Sequence, residues 1–175
     1  MELRPTNAWS DAFQECRHSA FHMEVRDTYA VPAESEPLRR FLNGETPLIE
    51  PDDPWEALIR EITARGVFVS RVRAVSLPLS DYQRWLLSVT AENIEAGEDI
   101  RYLPRHRAEE LPSDDWWLFD NERVAFNLIA GDSRPAGTAL TVDPNIAQYC
   151  RSTKERLWKL ATPYAEFVSV VNARQ

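Results

Sequence analysis

The sequence predicts an α/β fold: a single domain whose mixed sheet contains a central parallel β-α-β unit and a hairpin, with flanking helices. Residues 71–76 (RVRAVS) and 100–104 (IRYLP) are strand-like and enclose one helical pattern; such a helix usually forms a right-handed crossover joining parallel strands. The aromatic segment DWWLFDNERVAFNLIAG then predicts two strands about a tight turn at Asp120-Asn121. At 175 residues, one domain spanning residues 1–175 is expected.

The first part of the chain predicts a helix, a strand and a second helix. Apolar residues recur at three- and four-residue spacings between Thr6 and His18, which is one face of an amphipathic helix. From Ser19 to Val31, apolar and polar residues alternate as in a half-buried strand, which directs His22 to solvent. After two acidic, proline-containing stretches, Asp53 as cap and Pro54 in the first turn begin a helix that Gly66 ends.

The second part supplies the centre of the predicted sheet. Few polar residues interrupt the strand over residues 67–76, so this strand is expected to be central. Ser80 caps the crossover helix and Gly97 ends it. After the hairpin, residues 131–137 predict a connection, and the chain closes with a long helical pattern that Pro163 bends or interrupts.

Charge argues against direct binding to nucleic acid. The net charge is −8, and a phosphate backbone attracts proteins through Lys and Arg. A group of arginines in the middle third could reverse the sign locally, but nearby acidic residues favour solvated faces and intramolecular ion pairs. These arginines are Arg60, Arg65, Arg71, Arg73, Arg84, Arg101, Arg105 and Arg107.

The cysteines, the histidines and the hydropathy argue against a disulfide-rich protein, a metal-binding protein and a membrane protein. Cys16 and Cys150 lie far apart in the sequence and indicate neither a disulfide framework nor a zinc site. The three histidines lack metal-binding spacing, so neither a metal nor a cofactor is predicted. No apolar run approaches 18 residues and no leader pattern is present, so no membrane association and a cytoplasmic location are expected.

The carboxyl ends of the parallel strands predict where a ligand would bind, because open α/β sheets bind ligands there. Arginines at this rim could hold a small anion, and a carboxylate could act as a general base. A Ser-His-Asp triad through His106 lacks the Gly-x-Ser-x-Gly elbow. An ordinary helix start and a charged loop remain the structural alternative. The candidates for ligand or partner binding are Asp81, Tyr82, Arg101, Arg105, His106, Asp115, Trp117 and Asp120.

Trp116 and Trp117 are the most prominent aromatic pair. In a strand they must point to opposite faces, so one belongs to the core. The other could pack under a helix, stack on a ligand or anchor a protein partner. Core packing on both faces is the favoured interpretation.

Four strings, SAFHMEVRDTY, RVRAVSLPLSDYQRWLL, NIEAGEDIRYLPR and DWWLFD, carry a resemblance over about Phe13 to Trp158. Together they resemble an uncharacterised family of actinobacterial proteins that are often encoded beside helix-turn-helix regulators. The resemblance implies no established activity and suggests a regulatory partnership.

The order of strands and helix is also similar to one half of the phospholipase D-like fold. That chemistry uses a His-x-Lys pair ahead of an Asp, with His as the covalent nucleophile. With Asp120 in the Asp place, Ser113 and Asp115 occupy the His and Lys places. This departure implies loss of the family's phosphodiester transfer, so the likeness supports a fold and an anion- or ligand-sensing site.

The leading hypothesis is a non-catalytic, cytoplasmic binding protein that partners a helix-turn-helix transcriptional regulator. The alternative is a small-molecule enzyme or sensor that uses the rim of Asp81, Tyr82, Arg101, Arg105 and Asp115 to hold an anionic ligand. A third hypothesis is a structural subunit that forms homo-oligomers through an exposed tryptophan.

Overall fold

Eight strands and six helices follow one another in the computed structural model, which describes residues 1–4, 9–45 and 53–173. The strands are β1 (Glu2–Arg4), β2 (Ser19–Glu24), β3 (Phe68–Val75), β4 (Asp99–Pro104), β5 (Asp115–Phe119), β6 (Arg123–Ile129), β7 (Pro135–Thr141) and β8 (Thr162–Pro163). The helices are α1 (Trp9–Glu15), α2 (Ser35–Leu42), α3 (Pro54–Ala64), α4 (Asp81–Ala96), α5 (Pro144–Leu160) and α6 (Tyr164–Asn172).

All eight strands form one mixed sheet in the order β1-β7-β6-β5-β2-β3-β4-β8. The neighbours β2, β3 and β4 are parallel, and α4 connects β3 to β4. This is the predicted β-α-β unit, so the α/β fold class with a mixed sheet is confirmed. Strand β5 pairs antiparallel with β2 and begins the β5–β6 hairpin.

Helices cover both faces of the central strands. On one face, Phe21 and Trp116 belong to a hydrophobic cluster that includes Cys150 and Leu157 of α5. On the opposite face, Trp117 packs in a second cluster with residues of α1 and α3. Trp116 is 0% exposed and Trp117 is 3% exposed. Core packing of both tryptophans is therefore confirmed, and neither can anchor an oligomer.

Local signals at the helix ends lie where the sequence predicts them. The Asp53 carboxylate accepts hydrogen bonds from the Trp55 and Glu56 amides, and the Ser80 hydroxyl accepts one from the Gln83 amide. Gly97 ends α4 with a φ of 121°, and a Cβ there would approach Thr63 Cγ2 and Oγ1 to 2.9 Å. Both the left-handed backbone and the contact with α3 therefore require glycine.

The predicted turn at Asp120-Asn121 is confirmed. Both residues have positive φ, 51° and 59°, and the Glu122 amide donates to the Phe119 carbonyl over 3.0 Å. Paired left-handed residues give a turn whose twist matches that of a hairpin. Pro163 also interrupts the terminal helical pattern as predicted, because it lies in the two-residue β8 between α5 and α6.

Two expectations differ from the structure, and one lies partly outside the residues that it describes. His22 was expected in solvent but is 7% exposed and stacks on Trp117, with ring centroids 4.2 Å apart. The helices on both faces of the sheet bury alternate positions of β2 alike. The connection over residues 131–137 is shorter than expected, because Pro135 already begins β7. Residues 6–8 of the predicted first helix lie outside the described residues.

Within the described ranges, none of the helices combines the length and apolar character that crossing a membrane requires.

Candidate functional site

The eight predicted site residues do not form one site. Asp81 is exposed and pairs with Arg84 one turn along α4. The Arg101 guanidinium lies 3.9 Å from the centre of the Trp158 ring. His106 is exposed on a short 3₁₀ turn over residues 105–107. The buried Tyr82 hydroxyl donates to Glu34, and burial raises the pKa of Tyr82 well above its usual value.

Asp120 lies at the opposite end of β5 from the rim. Its carboxylate accepts hydrogen bonds from the backbone amides of Arg17, His18 and Ser19 over 2.7 to 2.9 Å. These bonds tie the β5–β6 turn to the start of β2. Burial opposes ionisation of Asp120, but the three amides prevail and lower its pKa. Asp120 therefore has a structural explanation that does not involve a ligand.

Arg105 and Asp115, in contrast, meet around a single residue, Val25, just beyond the carboxyl end of β2. The Val25 amide donates to Asp115 Oδ1 over 2.7 Å. One Nη of Arg105 donates to the Val25 carbonyl. These two predicted residues therefore meet at the carboxyl ends of the parallel strands, where open α/β sheets bind ligands.

A cleft of about 360 Å³ opens at this position. It is bounded by the segment after β2, the turn after β4, the loop before β5 and the β6–β7 turn. The Ala30 amide donates to the Ser133 carbonyl over 3.0 Å, which joins the first and last of these segments. The polar residues lining the cleft are Arg26, Asp27, Thr28, Arg105, Ser113 and Ser133.

The two arginines of the cleft differ in their partners. Arg105 is engaged by the Val25 carbonyl and lies with Nε 3.4 Å from Asp27 Oδ2. Asp27 in turn accepts hydrogen bonds from the Ser76 amide and hydroxyl over 2.8 and 2.7 Å. The Nε of Arg26 is buried and has no hydrogen-bond partner among the described residues. Arg26 was not among the residues that the sequence singled out for the rim.

Asp115 lies beside the cleft and is 2% exposed. Burial raises its pKa to about 6, against hydrogen bonds from Tyr29 and the Val25 amide that lower it. The nearby Glu24 raises this pKa further, and the positive charge of Arg26 lowers it. Asp115 is thus a carboxyl group that gains or loses its proton in the mildly acidic range.

A second group of charges lies inside the fold, on the face of the sheet that carries Trp117. We call Glu24, Arg71, Arg73 and Glu98, with the neighbouring His22, the buried ion cluster. Arg71 donates to Glu24 over 2.6 Å and to both carboxylate oxygens of Glu98 over 3.0 Å. Arg73 donates to Glu24 and also to Thr90 and Tyr102.

The buried ion cluster is electrically balanced, with two guanidinium groups facing two carboxylates. Burial opposes ionisation of Glu24, but Arg73 and Arg71 prevail and hold its pKa below the usual range. Burial, with the positive charges of Arg71 and Arg73, outweighs the attraction of Glu24 and lowers the pKa of His22 to about 3, so His22 is neutral at physiological pH. The guanidinium and carboxylate groups of the cluster therefore pair with one another and with neighbouring side chains, which is a structural role.

The sequence singled out Arg71 and Arg73 only as members of the arginine group. Their positions on the same strand face as Val67, Val69 and Val75 were the signal that they are buried. Intramolecular ion pairs are confirmed for Arg60, Arg71, Arg73, Arg84, Arg101 and Arg105.

Metal binding finds no support in the part of the chain that the structure describes, where no group of three or more His, Cys, Asp or Glu side chains could hold an ion. Cys16 and Cys150 are free and buried. Burial raises their thiol pKa values to about 11 and 12, so neither is an activated nucleophile near neutral pH.

Comparison with known proteins identifies a family and a related fold. No curated protein matches this chain in sequence. Among solved structures, it is similar to Nuc from Salmonella typhimurium, a phospholipase D family member. The match has a TM-score of 0.56 and 14% identity and covers 90% of this chain and 88% of that chain; at this identity the likeness concerns the fold alone. The family model described as "Domain of unknown function (DUF6879)" matches residues 7–169, and the chain therefore belongs to that family.

Proposed function

We propose that this chain is a non-catalytic binding protein that acts in the cytoplasm as the acidic partner of a helix-turn-helix transcriptional regulator. The observation that carries the proposal is the division of charge within the fold. Inside, the charges of the central strands are balanced against one another. At the surface, a loop carries acidic side chains, and the net charge of the whole chain is −8.

The acidic loop consists of residues 108–114. Glu109, Glu110 and Asp114 are exposed, and none of them forms an ion pair with another described residue. Arg156 of α5 donates to the Glu110 carbonyl over 2.9 Å, which fixes the loop to the body of the protein. A fixed acidic surface favours association with a basic protein through long-range steering and complementary contacts.

Two residues argue against phosphodiester transfer. In the resemblance to the phospholipase D-like pattern, Ser113 and Asp115 stand where His and Lys are required. Ser113 donates to Asp114 over 2.6 Å, and the buried Asp115 is held by the Val25 amide. Neither residue can replace an imidazole nucleophile or a lysine cation.

The alternative is a small-molecule enzyme or sensor that uses five residues at the rim of the sheet. The structure does not bring all five of these residues together. Asp81, Tyr82 and Arg101 have partners away from the cleft. Arg105 and Asp115 remain together near a concave surface. This is a more limited basis for ligand binding than the predicted rim, and it supports a sensor better than an enzyme.

The test is co-purification of the tagged chain with helix-turn-helix regulators of its own genome, beginning with any that a neighbouring gene encodes. Reversing three charges of the acidic loop, with Glu109→Lys, Glu110→Lys and Asp114→Lys, should abolish co-purification and leave thermal unfolding unchanged. Asp115 is excluded from this variant because it is buried, so its reversal would disrupt the fold rather than a surface.

The matched control reverses three exposed glutamates on helices outside the acidic loop, with Glu61→Lys, Glu95→Lys and Glu166→Lys. It changes the net charge equally, so it should retain the complex if the acidic loop is the contact surface. Equal loss in both triple variants would show that total charge acts without a defined surface. Failure of the unmodified chain to retain the regulator would refute the proposal.

A further inference from the structure

We propose that the cleft at the carboxyl end of β2 is a binding site for a small oxyanion, held between the guanidinium groups of Arg26 and Arg105. This inference is independent of the proposed protein partner. It rests on the buried Nε of Arg26, for which no described residue is an acceptor, on the contacts that orient Arg105 and on the hydroxyl groups around the same cleft.

Arg26 provides the strongest argument. Its Nε is shielded from solvent, yet no acceptor among the described residues satisfies it. Buried donors in folded proteins almost always have a partner, because an unsatisfied one retains the full cost of losing water. An arginine also presents its N–H groups as a planar fork that matches the oxygens of a carboxylate or phosphate group. An oxyanion in the adjoining cleft would supply the missing acceptor.

Arg105 is positioned rather than free. The Val25 carbonyl and Asp27 use part of its hydrogen-bonding capacity, and a guanidinium has five N–H groups in all. The contacts that hold Arg105 therefore orient it without exhausting its donors. The Ser76 amide and hydroxyl also engage Asp27, which reduces the repulsion between its carboxylate and a bound anion.

The charge of the lining favours an anion even though the protein as a whole is acidic. The charged residues among those lining the cleft are Arg26, Arg105 and Asp27, and Asp115 lies beside it, held by the Val25 amide. Thr28 and Ser133 add hydroxyl groups that can donate to ligand oxygens, whereas the Ser113 hydroxyl already donates to Asp114. The volume of about 360 Å³ is at the small end of the range for ligand sites. The site therefore fits a small ligand with a phosphate or carboxylate group.

The experiment is calorimetric titration of the full chain with inorganic phosphate and, separately, with succinate, at constant ionic strength. We expect saturable binding of at least one of these probes at a single site. Arg26→Gln should weaken it by about tenfold or more, as expected for loss of a charge-assisted fork. Arg26→Lys keeps the charge and loses the planar fork of N–H groups. Its affinity should lie between those of the unmodified chain and Arg26→Gln. Saturation by phosphate alone would assign a phosphate ligand, and saturation by succinate alone a carboxylate.

The matched control is Arg60→Gln, which removes one positive charge from an exposed ion pair on α3. It should bind both probes as the unmodified chain does. Since no described residue accepts a hydrogen bond from Arg26 Nε, Arg26→Gln should also unfold at nearly the same temperature without ligand and still co-purify with the regulator. Absence of saturable binding of both probes to the unmodified chain, or equal affinities for it and Arg26→Gln, would overturn the anion site without bearing on the proposed partner.

Discussion

The buried ion cluster and the cleft lie next to each other along β2, and they use the same residue types for different ends. Glu24 belongs to the cluster, and the cleft begins one residue later, at Val25. In the cluster, arginines and glutamates face one another beneath helices. At the cleft, Arg26 Nε has no hydrogen-bond partner among the described residues, and Asp115, beside the cleft, has a raised pKa.

Structural and candidate functional charges therefore differ in whether the charged side chain has partners within the fold, and not in residue type. Arg71 and Arg73 are more deeply buried than Arg105, which has a partly exposed side chain. A balanced and enclosed group has no capacity left for a ligand. Unsatisfied groups beside an open cavity retain that capacity, and perturbed pKa values gather at such places.

The largest expected effect comes from breaking the cluster. Arg71→Met removes one guanidinium and leaves Glu98 buried without its bidentate partner. Removing one member of a buried ion pair typically costs about 3–5 kcal/mol because the other charge stays uncompensated. We expect urea unfolding of Arg71→Met to show a loss of that order in the free energy of unfolding.

Arg60→Gln is the matched control for this prediction, because it breaks an exposed pair on α3. Its effect should remain within about 1 kcal/mol, as for most surface ion pairs. Adding Glu98→Leu to Arg71→Met should recover part of the loss, since the stranded carboxylate is removed. A loss for Arg71→Met no larger than for Arg60→Gln would contradict the view that the cluster is a closed structural unit.

Local signals made the parallel unit and the hairpin predictable. Ser80 and Gly97 delimit α4 through contacts within a few residues, and Asp120-Asn121 adopts a conformation that Asn and Asp tolerate. Two elements could not be predicted in this way. The three-residue β1 is defined by its pairing with the distant β7, and α2 begins without a side-chain cap.

The candidate site was predictable only in part, for the same physical reason. Topology placed Arg105 and Asp115 at the carboxyl ends of the parallel strands, and they do meet around Val25. Ser133 reaches the cleft through a hydrogen bond between its carbonyl and the Ala30 amide, across about one hundred residues of chain. No local pattern encodes such a contact, nor the lack of an acceptor for Arg26 Nε among the described residues.

We expect the buried ion cluster to make the protein sensitive to acid. Burial lowers the pKa of His22 to about 3 in the folded state, below its ordinary value of 6.5. The unfolded chain therefore binds a proton that the folded chain refuses, and stability present above pH 6.5 is lost as the pH falls toward 3. His22→Gln cannot take up this proton. The free energy of unfolding of His22→Gln should fall less steeply with decreasing pH over this range. The difference in slope should correspond to at most one proton taken up on unfolding.

The control for His22 is His106→Gln, on an exposed turn. Urea unfolding at several pH values between 3 and 7 should give the same slope for His106→Gln as for the unmodified chain. An unchanged slope in His22→Gln would mean that His22 is protonated inside the cluster, where it would then form an ion pair with Glu24, 3.4 Å away.

The smallest expected effect is the contribution of Asp115 to stability. Its dependence on pH is opposite in sign to that of His22. Burial raises its folded pKa to about 6, above the ordinary 3.8, so between these values the folded chain keeps a proton that the unfolded chain releases. This contribution stabilises the protein at low pH and is lost as the pH rises through the same window. Asp115→Asn lacks that titration and can still accept the Val25 amide. Its stability relative to the unmodified chain should therefore rise between pH 4 and 6, by about 2–3 kcal/mol at most, and then level off.

Asp114→Asn, at the exposed neighbouring position, should show no such rise. A relative stability of Asp115→Asn that falls across this window would mean that Asp115 is ionised and paired, and the cleft would then resemble the buried ion cluster.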